Sequence, residues 1–430
     1  MGEGGKAGAR RRLGTQSSAM IAGLIVVYVL QEYMTKVNIS VALPFISESY
    51  GWTDQQSGAN GGLLLGSFLV GYGVSNILVS PFVDRVGARR GILIIMAAWS
   101  LITFFTGFVG LFFGLFVFMR VILGLTEGPT FPAASKLTQA WFDVKGRTRM
   151  NAFTFSTLYL SNLIVPAVIV PLIIVTSWPW AFYSIGILGL VLLVPIYLFV
   201  QDTPVGNAPR TRAPMRQTLA EQWRSIRDSL RVKGIMVLSI ADIATNLAWW
   251  GVSLWLPTYL VQAKGISHGE LAFAASVPYV GGVIGVYIGS WISRRTGRIV
   301  LTAAVFSVLC AVFILLIIGT TGILDIVAVM FLIFFFISIL QPNLFTLLQG
   351  VCPPRLIGSA TGWMNGIAVG VGALGPVIIG TSVSVTGSFG TGLVILAGLQ
   401  VFAGLVLLLF RERPAGTPSA QTGVQGSTSS

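Results

Sequence analysis

Ser80-Pro-Phe-Val-Asp84-Arg85-Val-Gly87-Ala-Arg89 joins two long apolar runs, and Gly289-Ser-Trp-Ile-Ser293-Arg294-Arg295-Thr-Gly297-Arg298 repeats its layout between two later ones. Each segment follows the second apolar run of a group of six, so the pair marks an internal repeat. A helix needs roughly 20 mostly apolar residues to cross a bilayer. Outward from the two segments, such runs are expected near 20–45, 58–82, 91–109, 112–138, 149–175 and 180–200. A second set is expected near 234–262, 270–292, 299–320, 324–350, 357–384 and 388–410. The predicted fold class is an all-α polytopic membrane protein with about twelve transmembrane helices in two six-helix halves. The chain then divides into a cytoplasmic N-terminal tail (1–18), a first half (19–200), a cytoplasmic linker (201–233), a second half (234–411) and a C-terminal tail (412–430) expected to be disordered. In the linker, Leu219, Trp223, Ile226 and Leu230 recur at helical spacing among basic residues, which predicts a short amphipathic helix at the membrane surface.

Composition agrees. Hydrophobic residues make up 54% of the 430 and charged ones only 10%, with a mean hydropathy of +0.84, which excludes a soluble globular chain. The alternating segments of a membrane β-barrel are absent. A net charge of +13 raises nucleic acid as a partner, but the 27 basic residues do not form a binding face. From a cytoplasmic N-terminus marked by Lys6, Arg10, Arg11 and Arg12, alternate loops collect them, as the positive-inside rule requires, and only Lys264 falls in an outside loop. The basic balance therefore reports topology: a multi-pass protein of the cell membrane with both termini cytoplasmic, anionic lipid at its cytoplasmic face and no nucleic acid. Lys36 and Arg120 are the two cations left inside spans. The N-terminus shows no secretory cleavage pattern, so the first span is expected to be retained. Cys310 and Cys352 have no metal-ligand spacing and read as packing residues. No metal or other cofactor is expected, and the chain is expected to be a monomer.

The two loops resemble the cytoplasmic signature of the major facilitator superfamily, with Ser80 in place of the first Gly, Ala88 in place of a basic residue and Ser293 where Asp is frequent. The resemblance implies that Asp84, Arg85, Gly87 and Arg89 form a latch holding the two halves in one state. Positive-inside anchoring would account for the arginines but not for Asp84 and Gly87.

Within that superfamily, several segments resemble the anion:cation symporter family, above all its bacterial galactonate and glucarate proton symporters. These are Tyr33-Met-Thr-Lys36-Val-Asn38-Ile-Ser40-Val-Ala42-Leu-Pro44, Gly71-Tyr72, and Arg120-Val-Ile-Leu-Gly124-Leu-Thr-Glu127-Gly128 with Phe131-Pro132-Ala133. Trp255-Leu-Pro257-Thr-Tyr259-Leu-Val-Gln262-Ala-Lys264-Gly265 and the stretch from Gly358 to Asn365 agree. The resemblance implies that Arg120 binds a substrate carboxylate, that Glu127 takes part in proton coupling, and that Tyr33, Tyr72 and Asn365 fall on binding positions. Lys36 stands where these symporters usually carry Arg, which keeps the charge and loses the planar fork. Thr35 stands where they usually place a proton-carrying Asp, so their two-carboxylate scheme lacks a member here.

The residues carry a reading of their own. Arg120 and Glu127 are seven apart, which brings them to within about 20° on one helical face and about 10 Å along it. A mid-span charge costs at least ~2.5 kcal/mol on insertion scales, so such residues face the bundle interior and mark substrate or ion paths; a structural ion pair between helices is the alternative. Glu32 lies one turn before Lys36, and a Glu-to-Lys pair at that spacing neutralises both charges. That pairing and a substrate role coexist if a substrate anion competes with Glu32. Asp242 falls in the seventh span, and Asp242 and Glu127 are read as sharing the protonation work. The alternative places Asp242 near the cytoplasmic end, paired with a basic side chain. Tyr33, Tyr72, Tyr159, Asn246, Gln341, Asn343 and Asn365 are polar mid-span groups able to bond the hydroxyls of a polyhydroxy acid, or equally to join helices. His268 is a lone loop histidine with no role assigned.

The expected function is secondary active transport, with protons coupled to symport of a small organic anion such as a sugar acid, by alternating access. A phosphate-ester or inorganic-anion carrier would be expected to gather another cation in the second half, whose predicted spans hold none. An exporter of amphipathic compounds need not retain Lys36. An enzyme or a non-transporting sensor is disfavoured, because neither a phosphate-cradling loop nor a soluble catalytic domain is present.

Overall fold

The computed structural model describes residues 18–78, 86–142, 144–202, 219–353 and 356–410, and these form sixteen α-helices. The first half holds α1 (Ser18–Ser49), α2 (Asp54–Leu78), α3 (Ala88–Val109), α4 (Phe113–Glu127), α5 (Thr130–Trp141), α6 (Val144–Val175) and α7 (Trp180–Phe199). The linker helix α8 (Leu219–Leu230) follows. The second half holds α9 (Ile235–Gln262), α10 (His268–Ser276), α11 (Pro278–Thr296), α12 (Ile299–Gly319), α13 (Ile323–Val351), α14 (Ile357–Gly372), α15 (Leu374–Thr386) and α16 (Gly390–Leu408). Among the described residues, 11 helical segments are long and apolar enough to cross a membrane, with α4 to α5, α10 to α11 and α14 to α15 each acting as one. The remaining long helix, α2, has 25 residues and is rich in Gly, Ser and Asn, because it is packed against both halves and shows little of itself to lipid.

Proline explains the split spans. The sequence predicts one continuous helix over 112–138, but Pro129 has no N–H to give to Leu125 O, and the helix breaks between Glu127 and Thr130. The freed Leu125 carbonyl accepts instead from Ser75 Oγ on α2 at 2.5 Å. Pro278 and Pro376 mark the two other interruptions. His268, expected in a loop, is the first residue of α10, because Ser267 and Glu270 form a reciprocal capping box that starts the helix there.

α1 is buried without a gap from Gln31 to Pro44, and α9 from Ala244 to Leu260, so these two helices form the axis of the bundle. The exposed apolar residues sit on outer helices, for example Phe105 and Phe108 on α3, Val191 and Val194 on α7, and Leu315 and Leu316 on α12. Such a surface suits hydrocarbon and not water.

The halves meet through small residues and a few polar ties. A carbon added at Gly58 of α2 would come within 2.7 Å of Gly380 O on α15, an approach only glycine allows. Ser40 Oγ donates to Leu254 O at 2.6 Å, Ser253 Oγ to Asn162 Oδ1 at 3.4 Å, and Gln262 Nε2 to Ser57 Oγ at 3.1 Å. At the same end as Gln262, His268 stacks on Phe45 and its Nε2 lies 3.2 Å from Glu48 Oε1. The linker helix touches the second half through Ser225 Oγ and Ser359 Oγ, 2.7 Å apart.

Candidate functional site

The charged cluster is built where α2 and α4 come closest. A side-chain carbon at Gly124 would overlap Phe68 O and lie 2.7 Å from Tyr72 N, and one at Gly71 would overlap Val121 O. This backbone contact sets Arg120, one turn before Gly124, beside the Phe68 ring, with the guanidinium carbon 4.8 Å from its centroid. From α1, Lys36 Nζ lies 5.9 Å from the same centroid, so both cations flank one phenyl ring. Phe68 carried no signal in the sequence, where it reads as one more apolar residue of a span.

The two cations differ in what compensates them. Lys36 is 3% exposed and ion-paired with Glu32, which is 0% exposed. Its ammonium also faces the Tyr72 ring at 4.0 Å and the Tyr33 ring at 4.6 Å. Arg120 is 1% exposed, has no ion pair among the described residues, and keeps Nε and Nη1 without hydrogen-bond partners. Glu127, on the same face of α4, does not pair with it. Thr35 Oγ1 lies 2.5 Å from Glu127 Oε1 and 2.6 Å from Glu32 O, while Glu127 Oε2 has no partner. Thr35 thus occupies with a hydroxyl the place opposite Glu127. The helix break holds Glu127 there: it ends α4, and its carbonyl accepts from Thr130 Oγ1 at 2.6 Å.

Asp242 belongs to a separate polar group on α9. It is fully buried, its Oδ1 accepts from Asn246 Nδ2 at 3.0 Å, and Gln341 of α13 approaches the same carboxyl without satisfying Oδ2. No basic side chain pairs with it among the described residues. Counted along the helices at 1.5 Å per residue, Lys36 lies about 20 Å from the Ser49 end of α1 and Asp242 about 30 Å from the Gln262 end of α9. These ends are adjacent, so Asp242 lies deeper toward the opposite side. Tyr159 packs edge-on against Trp249 at 5.4 Å. Asn343 Nδ2 donates to Ile339 O at 2.9 Å, an intrahelical bond. Asn365 is half-buried on α14. Asn38, quoted in a motif but not singled out, is fully buried with both amide atoms unpartnered.

Of the loop residues, Asp84 and Arg85 lie outside the described residues. Gly87 has φ +88°, a conformation that favours glycine. The Asp202 carboxylate caps the adjoining start of α3, accepting from Arg89 N at 2.8 Å, and Arg89 Nη2 donates to Tyr197 O at 2.7 Å. Tyr197 belongs to the first half and Asp202 to the start of the linker, so neither contact reaches the second half. Outside the helices, Lys264 Nζ donates to Ile318 O and Thr320 O at 3.0 and 2.7 Å, closing the end of α12, and burial lowers its pKa.

This arrangement was compared with known proteins. The family model described as the Major Facilitator Superfamily matches residues 21–376. The hexuronate transporter of Bacillus subtilis is 28% identical over 404 residues, covering 90% of this chain and 93% of that protein. A probable sulfoacetate transporter of Cupriavidus necator is 27% identical over 412 residues, covering 91% and 93%. A bacterial homologue of the human lysosomal transporter Spinster, in an inward-facing and occupied conformation, superposes with a TM-score of 0.69 at 16% identity, covering 92% of this chain and 99% of that one, a likeness of fold. With eleven apolar spans among the described residues, α2 packed between them, and a family match over most of its length, the chain belongs to the Major Facilitator Superfamily of membrane transporters.

Proposed function

We propose that the protein carries a small organic anion, a sugar acid or a related carboxylate, together with protons across the cell membrane by alternating access of its two halves. The observation that carries this reading is Arg120. A guanidinium with two unpartnered nitrogens, shut inside a bundle, is costly to hold there unless an anion visits it, and its planar fork suits a carboxylate. The named substrates of the two relatives, a hexuronate and sulfoacetate, are both small acids.

In this reading Arg120 and Lys36 attract the anion, while Tyr33, Tyr72, Tyr159, Asn246, Gln341 and Asn365 offer hydrogen bonds to its hydroxyls. Glu127 and Asp242 exchange the coupling protons. Their different depths support a succession along a path, with Glu127 beside the cations and Asp242 toward the side read as cytoplasmic. Asp84, Arg85, Gly87 and Arg89 latch the halves in one state. The protein is a monomer with both termini in the cytoplasm and anionic lipid at that face.

Uptake of labelled carboxylates into proteoliposomes, with and without an inward proton gradient, tests the reading. Accumulation of at least one acid that collapses with the gradient is expected, and Asp242→Asn is expected to uncouple uptake from it. Gradient-independent equilibration would remove proton coupling, unchanged driven uptake in Asp242→Asn would remove that residue from it, and no uptake of any acid by well-folded protein would refute the whole.

A further inference from the structure

We propose that Glu32 is a resident carboxylate occupying the Lys36 half of the anion site, so that the transporter selects monoanionic acids over dianionic ones. The inference rests on the organic-anion reading and names which anions that site accepts. Its starting point is the unequal state of the two cations that flank Phe68. A dianion small enough to sit between them would find one of the two already taken.

Three features hold Glu32 in place. It precedes Lys36 by four residues on α1, the favourable order for a Glu-to-Lys pair. Both side chains are shut away from solvent, so neither charge has water to fall back on. The faces of Tyr72 and Tyr33 also lie against the ammonium, at 4.0 and 4.6 Å. Lys36 therefore presents a compensated charge. Arg120 has no ion pair among the described residues; the Phe68 ring lies beside it, and Nε and Nη1 lack partners. Glu127, the other carboxyl on this face, accepts from Thr35 and makes no ion pair with Arg120.

Charge balance then decides between substrates. One carboxylate on the open edge of Arg120 compensates the guanidinium and leaves the Glu32–Lys36 pair intact. A second carboxylate reaching Lys36 must expel Glu32 from its ammonium, and the expelled group is itself fully buried. One anionic charge relieves a penalty, whereas two create another.

The test uses full-length protein in proteoliposomes and two probes with one six-carbon skeleton, D-glucuronate and D-glucarate, the second having one more carboxylate. Wild type is expected to take up D-glucuronate at least tenfold faster than D-glucarate at equal concentration. Glu32→Gln, which frees the ammonium, is expected to lower that ratio at least tenfold, and Glu32→Gln/Lys36→Gln, which removes both charges, to restore the preference for the monoanion. A wild-type ratio at or below one overturns the inference and needs no variant, so poor folding of Glu32→Gln does not shelter it. An unchanged ratio in well-folded Glu32→Gln also overturns it, while the organic-anion reading stands. No uptake of these or any other acid refutes that reading, and the inference with it.

Discussion

Thr35→Val removes one oxygen atom from the centre of the site and almost nothing else, since the two side chains have nearly the same shape. The lost hydroxyl lies 2.5 Å from Glu127 Oε1, and both residues are 0% exposed. Glu127 Oε2 has no partner already, so the substitution leaves the whole carboxyl without one. Hydrogen bonds to charged groups contribute about 1.5–3 kcal/mol in soluble proteins, whereas interhelical bonds measured inside membranes average ~0.6 and reach ~1.7 kcal/mol. Complete burial of both partners puts this bond at the upper end of the membrane range, about 1.5 kcal/mol. That is roughly a tenfold change in an equilibrium constant. Thr35 also lies 2.6 Å from Glu32 O, and a double-mutant cycle with Glu127→Met, which removes the acceptor, separates that contribution. The assay is reversible unfolding in mixed micelles of wild type, both single variants and the double. Thr35→Ser, which keeps the hydroxyl, is expected to stay within about 0.5 kcal/mol of wild type. A coupling between positions 35 and 127 below about 0.3 kcal/mol would refute the assignment of Thr35 as the polar partner of Glu127.

Two further outcomes follow from the same geometry. Arg120→Lys keeps the charge and loses the fork, so affinity for a transported monocarboxylate should fall about 10- to 100-fold through the loss of one charge-assisted hydrogen bond; ligand-induced thermal shifts measure it, and a change under about threefold would show that Arg120 does not grip the carboxylate with two nitrogens. Gly124→Val forces apart the α2 and α4 backbones, at a cost of at least about 1–3 kcal/mol, and should lower the melting temperature and the yield of monodisperse protein. Gly23→Ala is the control, because an added carbon there meets nothing within 4 Å, and equal melting of the two variants would mean that the close contact does not set the site.

The helical spans were legible because burial in lipid demands long apolar runs and leaves little freedom in composition. The division into halves was legible because the two basic loops repeat. What escaped reading depended on contacts between distant segments. Pro129 lay in plain view, but a proline inside a span either bends or breaks it, and only Ser75 reaching Leu125 O shows how a break is tolerated here. Asp202 gives no cue that it caps α3, 113 residues away from Arg89. His268 looked isolated, while Phe45 and Glu48, far back in the sequence, supply its surroundings. Lys36 and Arg120 stood out as soon as the loops had claimed the other cations, yet nothing in the sequence said that they would flank Phe68.

The relation between Glu32, Thr35 and Glu127 shows what a substituted motif can mean physically. The resembling symporters place an acid directly before the first-span cation. At that position this chain has Thr35, and the structure aims it at Glu127 Oε1. An acid there would set two carboxyl groups against each other, a pair able to hold one proton between them. The hydroxyl dissolves such a pair. The helix still carries a carboxyl, three residues earlier at Glu32, and that one is ion-paired with Lys36. Moving an acid by less than one turn therefore changes its partner from another acid to a cation. A group in the first arrangement can store a proton, and a group in the second can stand in for a bound anion. Lys36, a compact ammonium, accepts one carboxylate and needs no planar counterpart, and under the proposed function the planar fork that grips the substrate is Arg120.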